Sequence, residues 1–318
     1  MTHLRHLPLG YGGEFDVIAA ALRQWGPLAS GIGDDCAVLD VPVGRRLVLS
    51  VDSAVEGVHF RRSWLTPEEI GYRATTAALS DLAAMAAEPV GVAIAMTLPD
   101  AWRDEFLRLC DGIGDAVRTV GAKIIGGDLS RSAALSMTLT VVGHVAAPLS
   151  RRGARAGDAL WVTGRLGGPL LALRAWESGS APTAECRARF ARPEARFAAA
   201  QWLVEHGATA GLDISDGLAS DAGHLAAAGA AQLVVNLDRV PAVPGASVED
   251  AARSGEEYEL LVTAPASLDA AAFTAACGIP LTCVGAVAPP LPDEPAVLTL
   301  RHGQRIELPR GHDHFPSP

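Results

Sequence analysis

The chain has 318 residues, 49% hydrophobic and 19% charged, with a formal net charge of −10 and a single lysine, Lys123. That length exceeds the usual limit of one hydrophobic core and predicts two compact domains in a globular protein. The acidic balance excludes a nucleic-acid surface, which needs clustered Lys and Arg, and no apolar run approaches the roughly 20 residues of a membrane span.

Five dispersed cysteines, Cys36, Cys110, Cys186, Cys277 and Cys283, contain no CxxC pair, so neither a disulfide framework nor a zinc ribbon is expected. The opening residues MTHLRHLPLGYGGEFD lack the charged-then-apolar pattern of a signal peptide. A cytoplasmic location is expected.

The first half alternates helical and strand patterns. An amphipathic stretch runs from Glu14 to Trp25, and short strands are expected at Cys36 to Leu39 and Arg46 to Asp52, with a turn at Pro42 to Gly44. Thr66, Pro67 and Glu69 combine a capping-box spacing with proline at the first helical position, and predict a helix to about Ala87. Asp81 falls deep in that otherwise small and hydrophobic segment, where a carboxylate needs a partner. Strands are expected at Val90 to Leu98, Ala122 to Ile125 and Leu135 to Val145, with a helix over about Ala101 to Val120.

The run APLSRRGARAGD, Ala147 to Asp158, is the candidate boundary, giving domains 1–148 and 149–318. Beyond it the alternation restarts. A strand at Ala159 to Thr163 leads into a glycine turn, helices to about His206 and a strand and turn at Leu212 to Gly217. Strands follow at Gln232 to Leu237, Tyr258 to Thr263 and Leu281 to Val287, with two short ones near Val297 and Ile306. Two α/β (α+β) halves result.

Aspartates stand where apolar runs meet turns or helices: GIGDD at Gly31 to Asp35, LSVD ending at Asp52, LSDLAA around Asp81, GGD ending at Asp128, and LDISDG with Asp213 and Asp216. Brought together, carboxylates repel by about 4 kcal/mol per close pair at an effective dielectric near 20, so a cation must sit among them. Such oxygen-rich sites suit Mg²⁺, which bridges carboxylates to phosphates. Hairpin strands would bring Asp34, Asp35 and Asp52 to one end of a sheet, although GIGDD alone reads equally as a tight turn. Gly126 and Gly127 allow close backbone approach to a phosphate, with Asp128 left for metal; a plain strand-ending turn is the alternative. In LDISDGLASD a strand end meets a helix start, a place that favours phosphate, though Ser215 or Asp216 also reads as an ordinary cap. His59 is a substrate contact or a packing residue, and Arg151 and Arg152 grip phosphate or form a solvated linker. No Walker lysine motif, kinase HRD or DFG set, dinucleotide glycine motif or serine nucleophile elbow occurs.

Taken in order, GEFDVI, GIGDDCAV, SVDSAVEGVHF, LSDLAAMAAEP, GGDLSRS, LDISDGLASD, SGEEYELL and GHDHF resemble bacterial thiamine-monophosphate kinases, of the aminoimidazole-ribonucleotide synthetase-like superfamily. The resemblance implies a two-domain fold whose N-terminal sheet pairs across a homodimer, with a cleft binding ATP, thiamine monophosphate and several Mg²⁺ ions. It implies metal ligation by Asp35, Ser50, Val51 through its backbone, Asp52, Asp81, Asp128, Asp213 and Asp216. Asp35, Gly127, Asp128, Arg151 and Ser215 would meet ATP, and His59, Glu256 and His312 would meet thiamine phosphate. His312 stands where relatives usually carry an aromatic residue; Ala78, and Leu129 with Ser130, also depart from the family pattern, and none of these removes a carboxylate. The implied reaction is direct, in-line phosphorylation of thiamine monophosphate to thiamine diphosphate, with no covalent nucleophile or general base.

Overall fold

Thr66 begins the longest helix among the described residues by a reciprocal cap: its N–H donates to Glu69 Oε2 at 2.9 Å, and the Glu69 N–H donates to Thr66 Oγ1 at 3.3 Å. The helix, α2, covers Pro67–Ala84. The structure, a computed structural model, describes residues 13–33 and 35–307, so Asp34 and the expected substrate residue His312 lie outside the described residues. The chain folds as two units: one runs to Leu82 and resumes over Ala87–Ala147, and the other comprises Ala83–Ala86 and the chain from Pro148 onward.

The first unit holds a four-stranded sheet in the order β1-β4-β2-β3, made of β1 (Arg46–Val55), β2 (Glu88–Leu98), β3 (Lys123–Arg131) and β4 (Ser136–Val145). Only the β2–β3 pairing is parallel. Helices α1 (Gly13–Trp25), α2 and α3 (Phe106–Thr119) complete the unit. Leu139, Val141, Ile124, Ile70, Leu79, Leu109 and Ile113 form its buried core. β1 is an edge strand, and its alternation leaves Leu47, Leu49 and Val51 on one face at 53%, 59% and 55% exposure.

Two helices of this unit meet backbone to backbone. A Cβ at Gly112 of α3 would lie 1.8 Å from the Glu68 carbonyl oxygen, and one at Gly71 of α2 would lie 2.2 Å from that of Leu109. Glycine is therefore required on both helices at the crossing.

The expected strand at Cys36 to Leu39 does not form. Residues 35–45 are loop and turn, and Val38 is 80% exposed. An apolar run makes a strand only where a neighbour satisfies its backbone, and among the described residues no strand pairs with it, so the proposed hairpin beside β1 does not form there. β3 runs past Ile125 through Gly126, Gly127 and Asp128 to Arg131, where the sequence suggested a turn.

The second unit is built on a seven-stranded sheet, order β11-β10-β7-β9-β5-β8-β6, from β5 (Ala159–Thr163), β6 (Ala210–Asp213), β7 (Gln232–Asn236), β8 (Leu260–Ala264), β9 (Leu281–Ala288), β10 (Val297–Arg301) and β11 (Gln304–Ile306). Its helices are α4 (Gly168–Glu177), α5 (Ala184–Ala191), α6 (Phe197–Glu205), α7 (Leu218–Gly229), α8 (Val248–Arg253) and α9 (Ala270–Cys277). β5 shows why both sheet faces are covered. Leu160 and Val162 join one core with Leu218 and Leu225 of α7, while Ala159 and Trp161 join another with Leu203 of α6 and Phe273 of α9.

Candidate active site

In the first unit two of the expected acidic residues, Asp52 and Asp81, come together between β1 and α2. Ser50 and Asp52 are two apart on β1 and so share a face. Ser50 Oγ donates to Asp81 Oδ2 at 2.5 Å, which supplies the partner that a carboxylate in this part of α2 requires. Asp52 Oδ1 accepts the Ser53 N–H at 2.8 Å. Burial lifts the Asp52 carboxyl above its ordinary range; the Ser53 N–H opposes this, Asp81 adds to it, and the Arg73 guanidinium opposes it. Arg73, also on α2, is only 4% exposed.

Asp128 stands one register row along from Asp52. Its row is Ser53, Thr138, Ala95 and Asp128, whereas Asp52 shares a row with Leu139, Ile94 and Gly127. Consecutive rows face opposite sides of a pleated sheet, so Asp128 is exposed beside Ser130, whose Oγ donates to it at 3.0 Å. Gly127 is needed where it stands, because a Cβ there would lie 2.1 Å from the Ile94 carbonyl oxygen. Gly126, Gly127 and Asp128 form one wall of a cavity of about 520 Å³, part of it open to solvent, whose other walls are apolar: Ile18, Leu22 and Trp25 of α1, Phe106 and Cys110 of α3, Ile94 and Met96 of β2, and Ile32. Asp35 is exposed in the loop beyond Ile32. His59 lies in the loop after β1, half-buried, with its Nδ1 accepting the Val55 N–H at 3.1 Å. That bond leaves the proton of a neutral ring on Nε2.

The second unit carries another acidic group. β6 ends at the buried Asp213, and the turn Ile214–Gly217 leads into α7. Asp221, in the first turn of α7 and 3% exposed, folds back under that turn: its Oδ2 accepts the N–H groups of Ser215 at 3.1 Å and Asp216 at 3.2 Å. Burial pushes its carboxyl up to about 8, the charges of Asp213 and Asp216 push the same way, and the two N–H groups offset part of this. His224 lies three residues further along α7, exposed, on the same face. Among the described residues, Asp216, Asp221 and His224 are the one group of three acidic or histidine side chains whose ligating atoms lie within 4.8 Å of one another. Arg151 is exposed in the loop before β5.

The turn is also hooked to residues 255–259. The Glu256 N–H donates to the Ser215 carbonyl at 2.6 Å, Tyr258 N–H to Ile214 at 2.9 Å, and Ile214 N–H to Glu259 at 2.7 Å. Glu256 is thereby fixed to the aspartate turn through its main chain. Behind it, Glu257 and Glu259 are both buried.

Sequence reasoning did not single out Arg73, Asp221, His224, Glu257 or Glu259. Asp221 and His224 left a signal, an i, i+3 spacing directly after LDISDG that puts both on one helical face. The donor chemistry within each unit fits a hard divalent cation, since the charge of Asp81 raises the proton affinity of Asp52, and those of Asp213 and Asp216 raise that of Asp221, a repulsion that a cation bound at either place would offset.

Residues 33–145 match the family described as AIR synthase related protein, N-terminal domain, and residues 155–288 match its C-terminal domain. The thiamine-monophosphate kinase of Escherichia coli strain K12 is 35% identical over 96% of this chain and 99% of its own length. The chain belongs to the thiamine-monophosphate kinase family. The crystal structure of the thiamine-monophosphate kinase from Stenotrophomonas maltophilia K279a superposes with a TM-score of 0.79 at 32% identity, covering 96% of this chain and all of that one. A structure of AaThiL complexed with AMPPCP and TMP superposes with a TM-score of 0.76 at 28% identity, covering 95% and 97%. Likeness to this family spans both units, and no helix among the described residues is long and apolar enough to cross a membrane.

Proposed function

We propose that the protein transfers the γ-phosphoryl group of ATP in line to the phosphate of thiamine monophosphate, giving thiamine diphosphate and ADP. The observation that carries this reading is the near full-length likeness to kinases of that name, in a fold shared with a protein complexed with AMPPCP and TMP. An acceptor phosphate oxygen attacks the γ-phosphorus while the bond to the β,γ-bridging oxygen breaks, and the electron pair leaves with ADP. The acceptor phosphate already carries about −1.5 to −2 charge at neutral pH, so no general base is needed and the barrier is largely the meeting of two anions.

The apolar cavity beside Gly127 and Asp128 is the seat proposed for the adenine, with the β3 backbone facing the phosphates. Asp35, Ser50, the Val51 carbonyl, Asp52, Asp81 and Asp128 are assigned to metal in the first unit, and Asp213 and Asp216 in the second. Mg²⁺ held by these oxygens would neutralise and align the phosphates. Arg151 and Ser215 are assigned to ATP, and His59 and Glu256 to the acceptor; His312, outside the described residues, is the remaining acceptor residue. We further propose a homodimer through the exposed Leu47, Leu49 and Val51 face of β1 and a cytoplasmic site of action.

Incubation of the purified protein with ATP, Mg²⁺ and thiamine monophosphate should yield thiamine diphosphate and ADP in equal amounts. No product from a protein that still binds ATP would reject the kinase reading in favour of a nucleotide-binding scaffold. Leu49→Arg should shift the molecule to monomer in sedimentation; an unchanged mass rejects the β1 interface.

A further inference from the structure

Glu256 and Tyr258 both adopt left-handed backbone, φ 57° and 54°, and Glu257 lies between them. Side chains with a Cβ disfavour that region, so two such residues flanking a third persist only where their surroundings impose it. The main-chain bonds from Glu256 and Tyr258 to Ser215 and Ile214 impose part of it. They fix where the segment lies against the turn, and both come from residues 256 and 258. The middle residue is tied in another direction.

The Glu257 side chain has no exposed surface. Its Oε1 accepts the Gly167 N–H at 2.5 Å. Gly167 is the N-cap of α4, with φ 105°, and a Cβ on it would lie 2.7 Å from the Ala246 Cβ. Glu257 therefore satisfies one of the amide groups that a helix leaves without an internal partner, from a segment remote in sequence. Its Oε2 makes no hydrogen bond, and the Arg189 guanidinium stands 3.9 Å away. Burial pushes the carboxyl up to about 8, so near neutral pH it is largely protonated and a glutamine is close to it in shape and charge.

We propose that Glu257 is a positioning residue for the acceptor substrate: by anchoring to the N-terminus of α4 it holds residues 256–258 in their left-handed course and so presents the Glu256 carboxylate to thiamine monophosphate. The inference rests on the acceptor role assigned above to Glu256. Without the anchor, the segment relaxes toward ordinary φ values and the Glu256 side chain swings away, while the aspartate turn keeps its own bonds to Asp221. The effect is therefore specific to the acceptor.

The test compares Glu257→Leu, Glu257→Asp and Glu257→Gln with Glu256→Gln, by steady-state kinetics and by hydrogen exchange of peptides covering residues 254–259. Glu257→Leu and Glu256→Gln should each raise the KM for thiamine monophosphate at least tenfold, with the KM for ATP within twofold of wild type. Exchange over 254–259 should quicken at least tenfold. Glu257→Asp, too short to reach Gly167, should behave alike and serves if the leucine variant does not fold. Glu257→Gln should restore both readouts to within threefold of wild type. Unchanged exchange in the leucine or aspartate variant overturns the anchor. Faster exchange with an unchanged KM for thiamine monophosphate, equal rises in both KM values, or failure of glutamine to rescue overturns the positioning role. An inactive wild-type protein would instead overturn the kinase reading, and the exchange measurement would still decide the anchor.

Discussion

Removing Arg196 should destabilise the second unit more than removing its partner. Glu259 has no exposed side-chain surface and is held by two parallel bonds from Arg196, Nε to Oε2 at 2.9 Å and Nη2 to Oε1 at 2.6 Å, with Thr163 Oγ1 donating at 2.7 Å. Arg196→Met leaves the carboxylate buried with only that hydroxyl and the Arg189 guanidinium, 3.7 Å away. Breaking a buried pair from one side costs about 3–5 kcal/mol, and the second arginine places this case near the lower end, about 3 kcal/mol. Glu259→Leu should cost less, because Arg196 keeps its 2.7 Å bond to the exposed Glu194 and is itself 15% exposed. The double variant should fall short of the sum by about 1–3 kcal/mol, the mark of a direct interaction. Urea unfolding followed through the buried Trp161 reads this, with a midpoint shift of roughly 1 M for Arg196→Met at an m-value of about 3 kcal/mol/M. A loss below about 1 kcal/mol, or strict additivity, would refute the reasoning.

Asp52→Asn and Asp128→Asn should each lower kcat at least about a hundredfold with circular dichroism unchanged, and near-normal turnover in both would reject the metal assignment. The raised carboxyl of Asp221 has a definite sign in metal-free protein. Between about pH 4 and pH 8 the unfolded chain gives up a proton that the folded chain keeps, so stability should fall as pH rises through that window and level off above it. Asp221→Asn should flatten that slope in urea titrations with EDTA, and a parallel slope would show that another group sets it. Gly112→Ala should destabilise the first unit by several kcal/mol, since its methyl would press on the rigid Glu68 carbonyl; an unchanged melting temperature would count against the helix crossing described here.

Local signals were legible where they also had a local cause. Thr66, Pro67 and Glu69 marked the start of α2 because a cap is made by residues three apart. β5 was readable from Ala159 to Thr163 as a continuous apolar run, as befits a strand covered on both faces. The failures are nonlocal. CAVL has the letters of a strand, but pairing depends on a neighbour elsewhere in the chain. GGDLSR reads as a turn, and only the parallel partner β2 turns it into strand, with Gly127 admitted for its lack of a Cβ against Ile94. Within the candidate site, Asp213 and Asp216 stood out because they close an apolar strand. Glu257 and Glu259 did not, since their burial is recognisable only by the amide and guanidinium groups that distant segments bring to them.

The glycine crossing of α2 and α3 gives a fulcrum to one acidic residue. Asp81 lies ten residues beyond Gly71 on α2, about 15 Å along the axis at 1.5 Å per residue. A rocking of only about 4° at that fulcrum would carry the carboxylate about 1 Å, more than the roughly 0.5 Å that a working constellation tolerates. At the crossing itself the helices touch through main chain, so such rocking meets little that can deform. The aim of Asp81 is thus steadied, beyond its bond from Ser50, by two residues that have no functional group.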